Sequence, residues 1–476
     1  MAPEPASRPV PASALAASLR ILMSNAPTGG REGSLEAPTR HPIDWRNPDF
    51  YNEAALTQEL DRVFDICHGC RRCFSLCQSF PTLFDAIDAT EKGELEAVDR
   101  AVYWEVVDHC YLCDMCFMTK CPYVPPHPWA VDFPHLMLRA KALHAGQQGF
   151  SVRDRLLAST EAVGRIAGIA VVAEVVNAVN RFKPARVMLE KTLGVARDAP
   201  LPEFHSRTAR ERLAALNGPL PPPPAGPAPA LREELRGQVA LFTTCYGNRN
   251  EPDLATDLVA VFNHNDIPVR LVPQERCCGM PRLELGDLKT VAAYKEENIP
   301  PLLAVIAAGF DIVAPIPSCV LMFKQELPLL FPEDPDVQAV AARIYDPFEY
   351  LMLWHKGGRL KTDFKTSLGK VSYHVPCHLR VQNIGLKTRD VLRLVPDTTV
   401  DVIERCSGHD GTYAVKQEFR AASVKIGKPV ATRVQNAAAA HYSSDCPMAG
   451  HQIESLLPPG QGPEHPLKLL RLAYGI

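Results

Sequence analysis

Eight of the fifteen cysteines fall into two compact runs, Cys67-x2-Cys70-x2-Cys73-x3-Cys77 and Cys110-x2-Cys113-x2-Cys116-x4-Cys121-Pro122. Three thiolates at two-residue spacing let a short loop wrap one face of a metal–sulfur body, while a fourth ligand arrives from elsewhere. Two such runs in series predict two [4Fe–4S] cubanes with crossed ligation. Cys67, Cys70, Cys73 and Cys121 would hold one, and Cys110, Cys113, Cys116 and Cys77 the other. Zinc is the competing ligand chemistry, but its sites usually pair two C-x2-C knuckles, and a triple spacing used twice does not fit.

The other seven cysteines stand far apart, and each follows a short apolar run that reads as a strand. Cys245 follows Gln238 to Thr243, the pair Cys277-Cys278 follows Pro268 to Val272, and Cys319 follows Asp311 to Ile316. Cys377 follows Lys370 to His374, Cys406 follows Thr399 to Ile403, and Cys446 follows His441 to Ser443. Helical stretches such as Asp253 to His264 lie between the strands. Corresponding cysteines recur at offsets of 132, 129 and 127 residues, which marks an internal repeat. Strands alternating with helices predict parallel sheets, whose carboxyl ends are where open α/β sheets bind ligands.

The elements that must position the first eight cysteines are helical. Leu56, Leu60, Val63 and Phe64 share one face of a helix predicted over Asn52 to Phe64. Leu95, Val98, Val102, Val106 and Val107 have helical spacing before the second run, and a third helix is predicted over Val131 to Leu143. With thirty-two residues between Cys77 and Cys110, this half is similar to the helical ferredoxin domains of respiratory iron–sulfur proteins. Residues 151 to 217 are expected to continue as helix, up to a proline-rich run from Gly218 that forms a stiff linker. The predicted organisation is a Pro/Ala-rich disordered or loosely draped tail (1–43), a helical two-cluster domain (44–150), a helical segment and linker (151–235), and two repeats (236–350 and 351–476).

The strings Cys277-Cys278-Gly279, Pro317-Ser318-Cys319 and Pro376-Cys377-His378-Leu379-Arg380 resemble the cysteine-rich CCG domains of the heterodisulfide reductase family. A ferredoxin-like module followed by two CCG repeats resembles the architecture of the iron–sulfur component of anaerobic glycerol-3-phosphate dehydrogenases. The implied fold class is α/β, an all-helical two-cluster domain followed by two tandem CCG repeats with parallel βαβ sheets. The family motif, Cys…Cys-Cys-Gly…Cys-x-x-Cys, implies a third iron–sulfur cluster in repeat one, held by Cys245, Cys277, Cys278 and Cys319, although Met322 stands at the fifth position. Repeat two keeps Cys377, Cys406 and Cys446, with Ser407 and Ala449 where the motif has cysteines. His374, His378 and His409 lie near those cysteines and read as hydrogen-bonding or surface residues before ligands. Arg71 and Arg72, inside the first run, read as a solvated face before a charge offset or a docking point.

Bulk properties narrow the function classes. Lys plus Arg number 51 against 54 acidic residues, so there is no basic field for nucleic acid. The amino-terminal stretch lacks the charged-then-apolar order of a secretory signal, and Ile166 to Ala173 is too short to span a bilayer. An odd number of cysteines without an export signal is expected to remain reduced, in the cytoplasm or on the cytoplasmic face of a membrane. No flavin or nicotinamide motif is present. The expected role is an oxidoreductase component relaying electrons from a flavin-containing dehydrogenase or other redox protein to a quinone or other acceptor, with peripheral membrane contact implied by the resemblance. Thiol–disulfide reduction at the first CCG site, and a docking or scaffold protein with a degenerate CCG half, are the alternatives. No catalytic residue is assigned.

Overall fold

The computed structural model describes residues 38–224, 232–409 and 411–476. Its carboxyl-terminal half carries two parallel sheets. In the first, β1 (Val239–Leu241), β2 (Val269–Leu271), β3 (Asp311–Val313) and β4 (Ile344–Tyr345) are ordered β2-β1-β3-β4. In the second, β5 (Lys370–His374), β6 (Thr399–Ile403) and β7 (His441–Ser444) are ordered β6-β5-β7. For the first three strands of each sheet the orders are equivalent, because the first strand lies between the next two, and β4 extends the first sheet beyond β3. In the first sheet Val239, Ala240 and Leu241 pair in register with Val269, Arg270 and Leu271 on one side and Asp311, Ile312 and Val313 on the other. The central strand is buried throughout, as expected of a parallel strand covered on both faces. The strand order reverses at β1 and again at β5, so the crevice at each carboxyl edge is a topological switch point.

Long helices cross over between the strands, Pro252–His264 and Leu288–Ala307 in repeat one and Gln417–Ala437 in repeat two. The carboxyl-terminal helix Pro466–Tyr474 leaves repeat two and packs on Pro252–His264 of repeat one. Its Leu467, Leu469, Leu470 and Tyr474 are buried, and the Tyr474 hydroxyl donates to the Lys361 carbonyl at 2.7 Å. Each such aliphatic side chain contributes about 1.5–3 kcal/mol by leaving water. That helix therefore closes a core, and the core belongs to the other repeat.

Residues 44–150 contain helices and 3-10 turns and no strand. The first long helix is Glu53–Cys70, capped by Asn52, whose side chain accepts from the Ala55 N–H at 3.0 Å. It buries Leu56, Leu60, Val63 and Phe64, and then runs six residues past the predicted end. The apolar period stops at Phe64, but the hydrogen-bond ladder continues until Arg71 turns left-handed at φ 52°. Cys67 and Cys70 thus sit on a helix rather than on a loop. The helix predicted around Leu95 is interrupted, with a 3-10 turn at Leu95–Ala97 and a separate helix at Ala101–His109.

Two other expectations change. Residues 151 to 217 are not one helix but Val152–Ala158, Thr160–Ala167, Ala170–Arg181 and Lys183–Leu193, followed by a largely non-helical stretch to Thr208. Ser159, Gly168 and Pro184 stand at the breaks, and Gly194 caps the last helix at φ 64°. Of the predicted tail, residues 1–37 lie outside the described residues, but 38–43 are tied down. The Arg40 guanidinium is buried among Asp114, Asp132 and Glu326, at 2.7, 3.1 and 3.5 Å, and the Ile43 N–H donates to the Leu329 carbonyl at 2.8 Å. The linker is without regular structure over 217–224, and its continuation through 225–231 lies outside the described residues.

Candidate metal centres

The two compact runs approach each other as their spacing requires. Cys67, Cys70, Cys73 and Cys121 line one small cavity, walled by Phe80, Phe84 and Tyr123. Burial pushes the Cys67 thiol well up, and its neighbours Cys73, Cys121 and Cys70 push it further. Cys73 is pushed up to about 12, again by burial first and then by Cys121. On the other side Cys77 lies beside Cys110 and Cys116. Burial raises Cys110 to about 12 and Cys77 to about 11. Left-handed residues Leu112 (φ 54°) and Asp114 (φ 60°) bend the second run, and the bidentate Arg40–Asp114 pair holds that bend. Arg71 is engaged by Asp88 at the surface, at 2.5 Å, and stands over the Phe84 ring.

In repeat one the four cysteines come together from the ends of three strands. Cys245 opens a short helix capped by Thr244, which is left-handed at φ 64° and accepts from the Gly247 N–H at 3.0 Å. The sulfurs of Cys245 and Cys277 are 4.0 Å apart, and Cys278 contacts both Cys277 and Cys319. Donation from Cys245 and Cys278 holds the Cys277 thiol well below its ordinary range, and the other two rise correspondingly. Gly279, at φ 100°, turns the chain as no other residue does without strain. Met322, at the family's fifth position, is fully buried and points its methyl toward Gly279.

Repeat two builds the same edge with fewer thiols. Cys377 starts a helix after Pro376, Cys406 follows β6, and Cys446 caps the helix Pro447–Glu454. Cys406 contacts Cys377, which together with burial raises its thiol well above the ordinary range. Gly408 at φ 74° passes so close to the helix Gln417–Ala437 that a Cβ would lie 2.1 Å from the Ser423 carbonyl. His374 is buried with both ring nitrogens engaged, by the Ser444 hydroxyl and the Arg405 carbonyl at 3.0 Å each. Burial lowers it to about 4, and with both nitrogens hydrogen-bonded it has none left for a metal. The His378 Nδ1 meets the Ser318 hydroxyl of repeat one at 2.8 Å. His409 is also lowered to about 4 by burial, and its Nε2 is buried with no hydrogen-bond partner.

All seven CCG-type cysteines line one cavity of about 130 Å³ between the repeats, together with His378, Ser407 and His409. Two further contacts carry no sequence signal. The Thr160 hydroxyl, on a helix 85 residues earlier, lies 3.2 Å from Cys245 Sγ and 3.6 Å from Cys277 Sγ. The Tyr111 hydroxyl, one residue after Cys110, lies 3.2 Å from Cys406 Sγ. Tyr111 packs on Tyr413, whose hydroxyl meets His109 Nδ1 at 2.9 Å. Cys77 and Cys113 also share a cavity with Cys377 and Cys406. Among the described residues, no three His, Cys, Asp or Glu side chains close on a point that would hold a single metal ion.

Residues 239–324 and 371–453 each match the cysteine-rich domain CCG. Over 420 residues the chain is 28% identical to the C subunit of anaerobic glycerol-3-phosphate dehydrogenase of Escherichia coli (strain K12), covering 87% of this chain and 99% of that protein. It is 26% identical over 232 residues to an uncharacterized iron–sulfur protein of Methanocaldococcus jannaschii, covering 48% of this chain and 43% of the relative. It is 28% identical over 190 residues to lactate utilization protein A of Bacillus pumilus, covering 38% and 75% respectively.

Proposed function

From a chain that carries two CCG cysteine-rich domains and resembles a dehydrogenase component over most of its length, we propose an iron–sulfur electron-transfer subunit. It relays electrons between a flavin-containing dehydrogenase partner and a quinone or other acceptor. When bound, iron–sulfur clusters supply one-electron centres in series, a chemistry of relay rather than bond-making. Cys67, Cys70, Cys73 and Cys121 are the ligands of one [4Fe–4S] cluster, and Cys77, Cys110, Cys113 and Cys116 of a second. Cys245, Cys277, Cys278 and Cys319 are the ligands of a third, in repeat one.

The observation that carries this reading is the succession of the cysteine sets. Cys116 lies near Cys73, Cys77 lies near Cys406, and the repeat-two cysteines share a cavity with those of repeat one. The protein's own part is to order these sets, to exclude water with Phe80, Phe84 and Tyr413, and to place Tyr111 and Thr160 against ligand sulfurs. Phe74, 54% exposed beside Cys73, offers a redox partner an apolar anchor next to the first set.

Peripheral membrane contact on the cytoplasmic face belongs to the same proposal. No single helix among the described residues is long and apolar enough to cross a membrane. Val171, Val175 and Val179 nevertheless form an exposed apolar stripe on the helix Ala170–Arg181, with Ile169 and Phe182 exposed at its ends. That stripe suits an interfacial helix lying on a bilayer.

A second reading draws on the shared cavity. With two cysteine sets facing one space, a small disulfide could be reduced there to two thiols, consuming two electrons and two protons. Anaerobic purification from the membrane and cytosolic fractions, with iron and sulfide assays and EPR, tests the relay. Three [4Fe–4S] clusters predict at least about twelve irons per chain, and fewer than about seven would overturn even the two-cluster core.

A further inference from the structure

We propose that His409 supplies the fourth ligand of an iron–sulfur cluster in repeat two, completing the set formed by Cys377, Cys406 and Cys446. This rests on the reading that the CCG sites hold such clusters. Three thiolates leave one iron of a cubane without a protein ligand. The side chains around the repeat-two half of the cavity narrow the choice of a fourth. Ala449 has no donor atom, and the Ser407 hydroxyl already accepts from the His409 N–H at 3.4 Å. His374 has both nitrogens engaged, whereas His378 is held through Nδ1 by Ser318 of the other repeat.

His409 differs from Ala449, Ser407 and His374, and leaves His378 as its one rival among the histidines that line the cavity. Its ring lines the cavity that also holds the three sulfurs, and its Nε2 is buried with no hydrogen-bond partner. A buried imidazole nitrogen without a partner is costly, and native structures nearly always give such an atom something to bind. Metal ligation satisfies it. The backbone also fixes His409 in this position, because the left-handed turn at Gly408 lies between it and Cys406 and is clamped by the Ser423 hydroxyl on the Gly408 carbonyl at 2.6 Å.

The ligand change has an electronic consequence. A neutral imidazole in place of an anionic thiolate leaves the cluster less negative and easier to reduce, as in Rieske centres, where histidines replace cysteines and raise the potential. The repeat-two centre is then the more oxidising of the two CCG sites.

Pulsed EPR of the reduced full-length protein, grown with 14N- or 15N-histidine, reads the ligand directly. A histidine-nitrogen coupling should be present in the wild type and absent in both His409→Ala and His409→Cys. His409→Ala should also lose about four irons per chain, whereas His409→Cys should keep them and show a lower potential. Retained iron in His409→Cys shows that the repeat is folded. If Cys406→Ser loses a cluster but the wild type shows no histidine coupling, or the coupling survives in His409→Ala, the ligand assignment is overturned while the cluster reading stands. If Cys406→Ser leaves iron content and spectra unchanged, repeat two holds no cluster and both fall.

Discussion

Repeats one and two present the same strand order and the same three loops, yet offer different chemistry at their carboxyl edges. In repeat one four thiols form a contiguous set, Cys245 to Cys277 to Cys278 to Cys319, and the Thr160 hydroxyl covers its outer end. In repeat two Ser407 and Ala449 dilute the set, a free imidazole nitrogen faces it, and the Tyr111 hydroxyl reaches it from the amino-terminal half. The sheet therefore dictates where donors stand and leaves their identity open. What separates the repeats is which neighbour each faces. Repeat two abuts the second compact run, whereas the helix of Thr160 covers repeat one, and next to that helix lies the exposed apolar stripe. On the relay reading repeat two is the inner station and repeat one the outer.

The glycine of each motif is the sharpest place to break the comparison. Both Gly279 and Gly408 are left-handed, so alanine at either costs about 1–2 kcal/mol from backbone strain alone. At Gly279 the nearest atom to a new Cβ is a flexible methionine methyl at 3.6 Å. At Gly408 it is the Ser423 carbonyl at 2.1 Å, with the Gly427 backbone nitrogen at 3.1 Å behind it. Gly408→Ala should therefore cost about 4 kcal/mol or more, or prevent folding, and Gly279→Ala only about 1–2 kcal/mol. Thermal unfolding of the two variants checks this. Equal losses would mean that the close packing of the repeat-two loop is not what the structure indicates.

Next in size are the two hydroxyls on the cysteine sulfurs. Once a sulfur is a metal-bound thiolate it can only accept, so Tyr111 and Thr160 donate. Hydrogen bonds to cluster sulfurs help set the reduction potential. Tyr111→Phe should lower the potential of the repeat-two centre alone, and Thr160→Val that of repeat one alone. At about 1.4 kcal/mol per charge-assisted bond, each shift is on the order of 60 mV for a one-electron couple. Redox titration followed by EPR separates them. A variant that moves both centres equally would mean that the two cysteine sets form one electronic unit.

Much of this contrast is legible in the sequence, and the missing part has a physical cause. The compact runs, the repeat and six of the seven strands can be read, because spacing and alternation report local burial. β4 escapes since Ile344–Tyr345 is only two residues and shows no period. Glu53–Cys70 outruns its apolar period because after Phe64 only Ile66 and two cysteines continue it, among Asp65, His68 and Gly69. The partial loss of cysteines in repeat two is plain. That its cysteines meet Tyr111, 295 residues earlier, is not, because periodicity says which face of an element is buried and nothing about which sheet edge faces another. The anchoring of Arg40 escapes for the same reason: one arginine in a Pro-rich stretch looks solvated until three carboxylates converge on it.

The smallest expected effect concerns how the two repeats are held together. His451, on the helix after Cys446, meets Glu251 of repeat one at 2.8 Å through Nε2 and Glu454 at 2.8 Å through Nδ1. Hydrogen bonds to Glu251 and then Glu454 raise its pKa to about 9, although burial opposes them. Because the folded value lies above the unfolded one of about 6.5, the protonated imidazole stabilises the folded state fully below pH 6.5. That contribution fades as pH rises and is gone above about pH 9. His451→Gln, which keeps a hydrogen-bonding side chain but cannot be charged, should lower the melting temperature at pH 6 by a few degrees and converge with the wild type near pH 10. The side chain is 39% exposed, so solvent and salt screen the pair, and raising ionic strength should shrink the difference at pH 6. A difference that stays constant from pH 6 to pH 10 would assign the role of His451 to packing, leaving the Pro466–Tyr474 helix, with its Arg471–Asp257 pair at 2.8 Å, to join the two repeats.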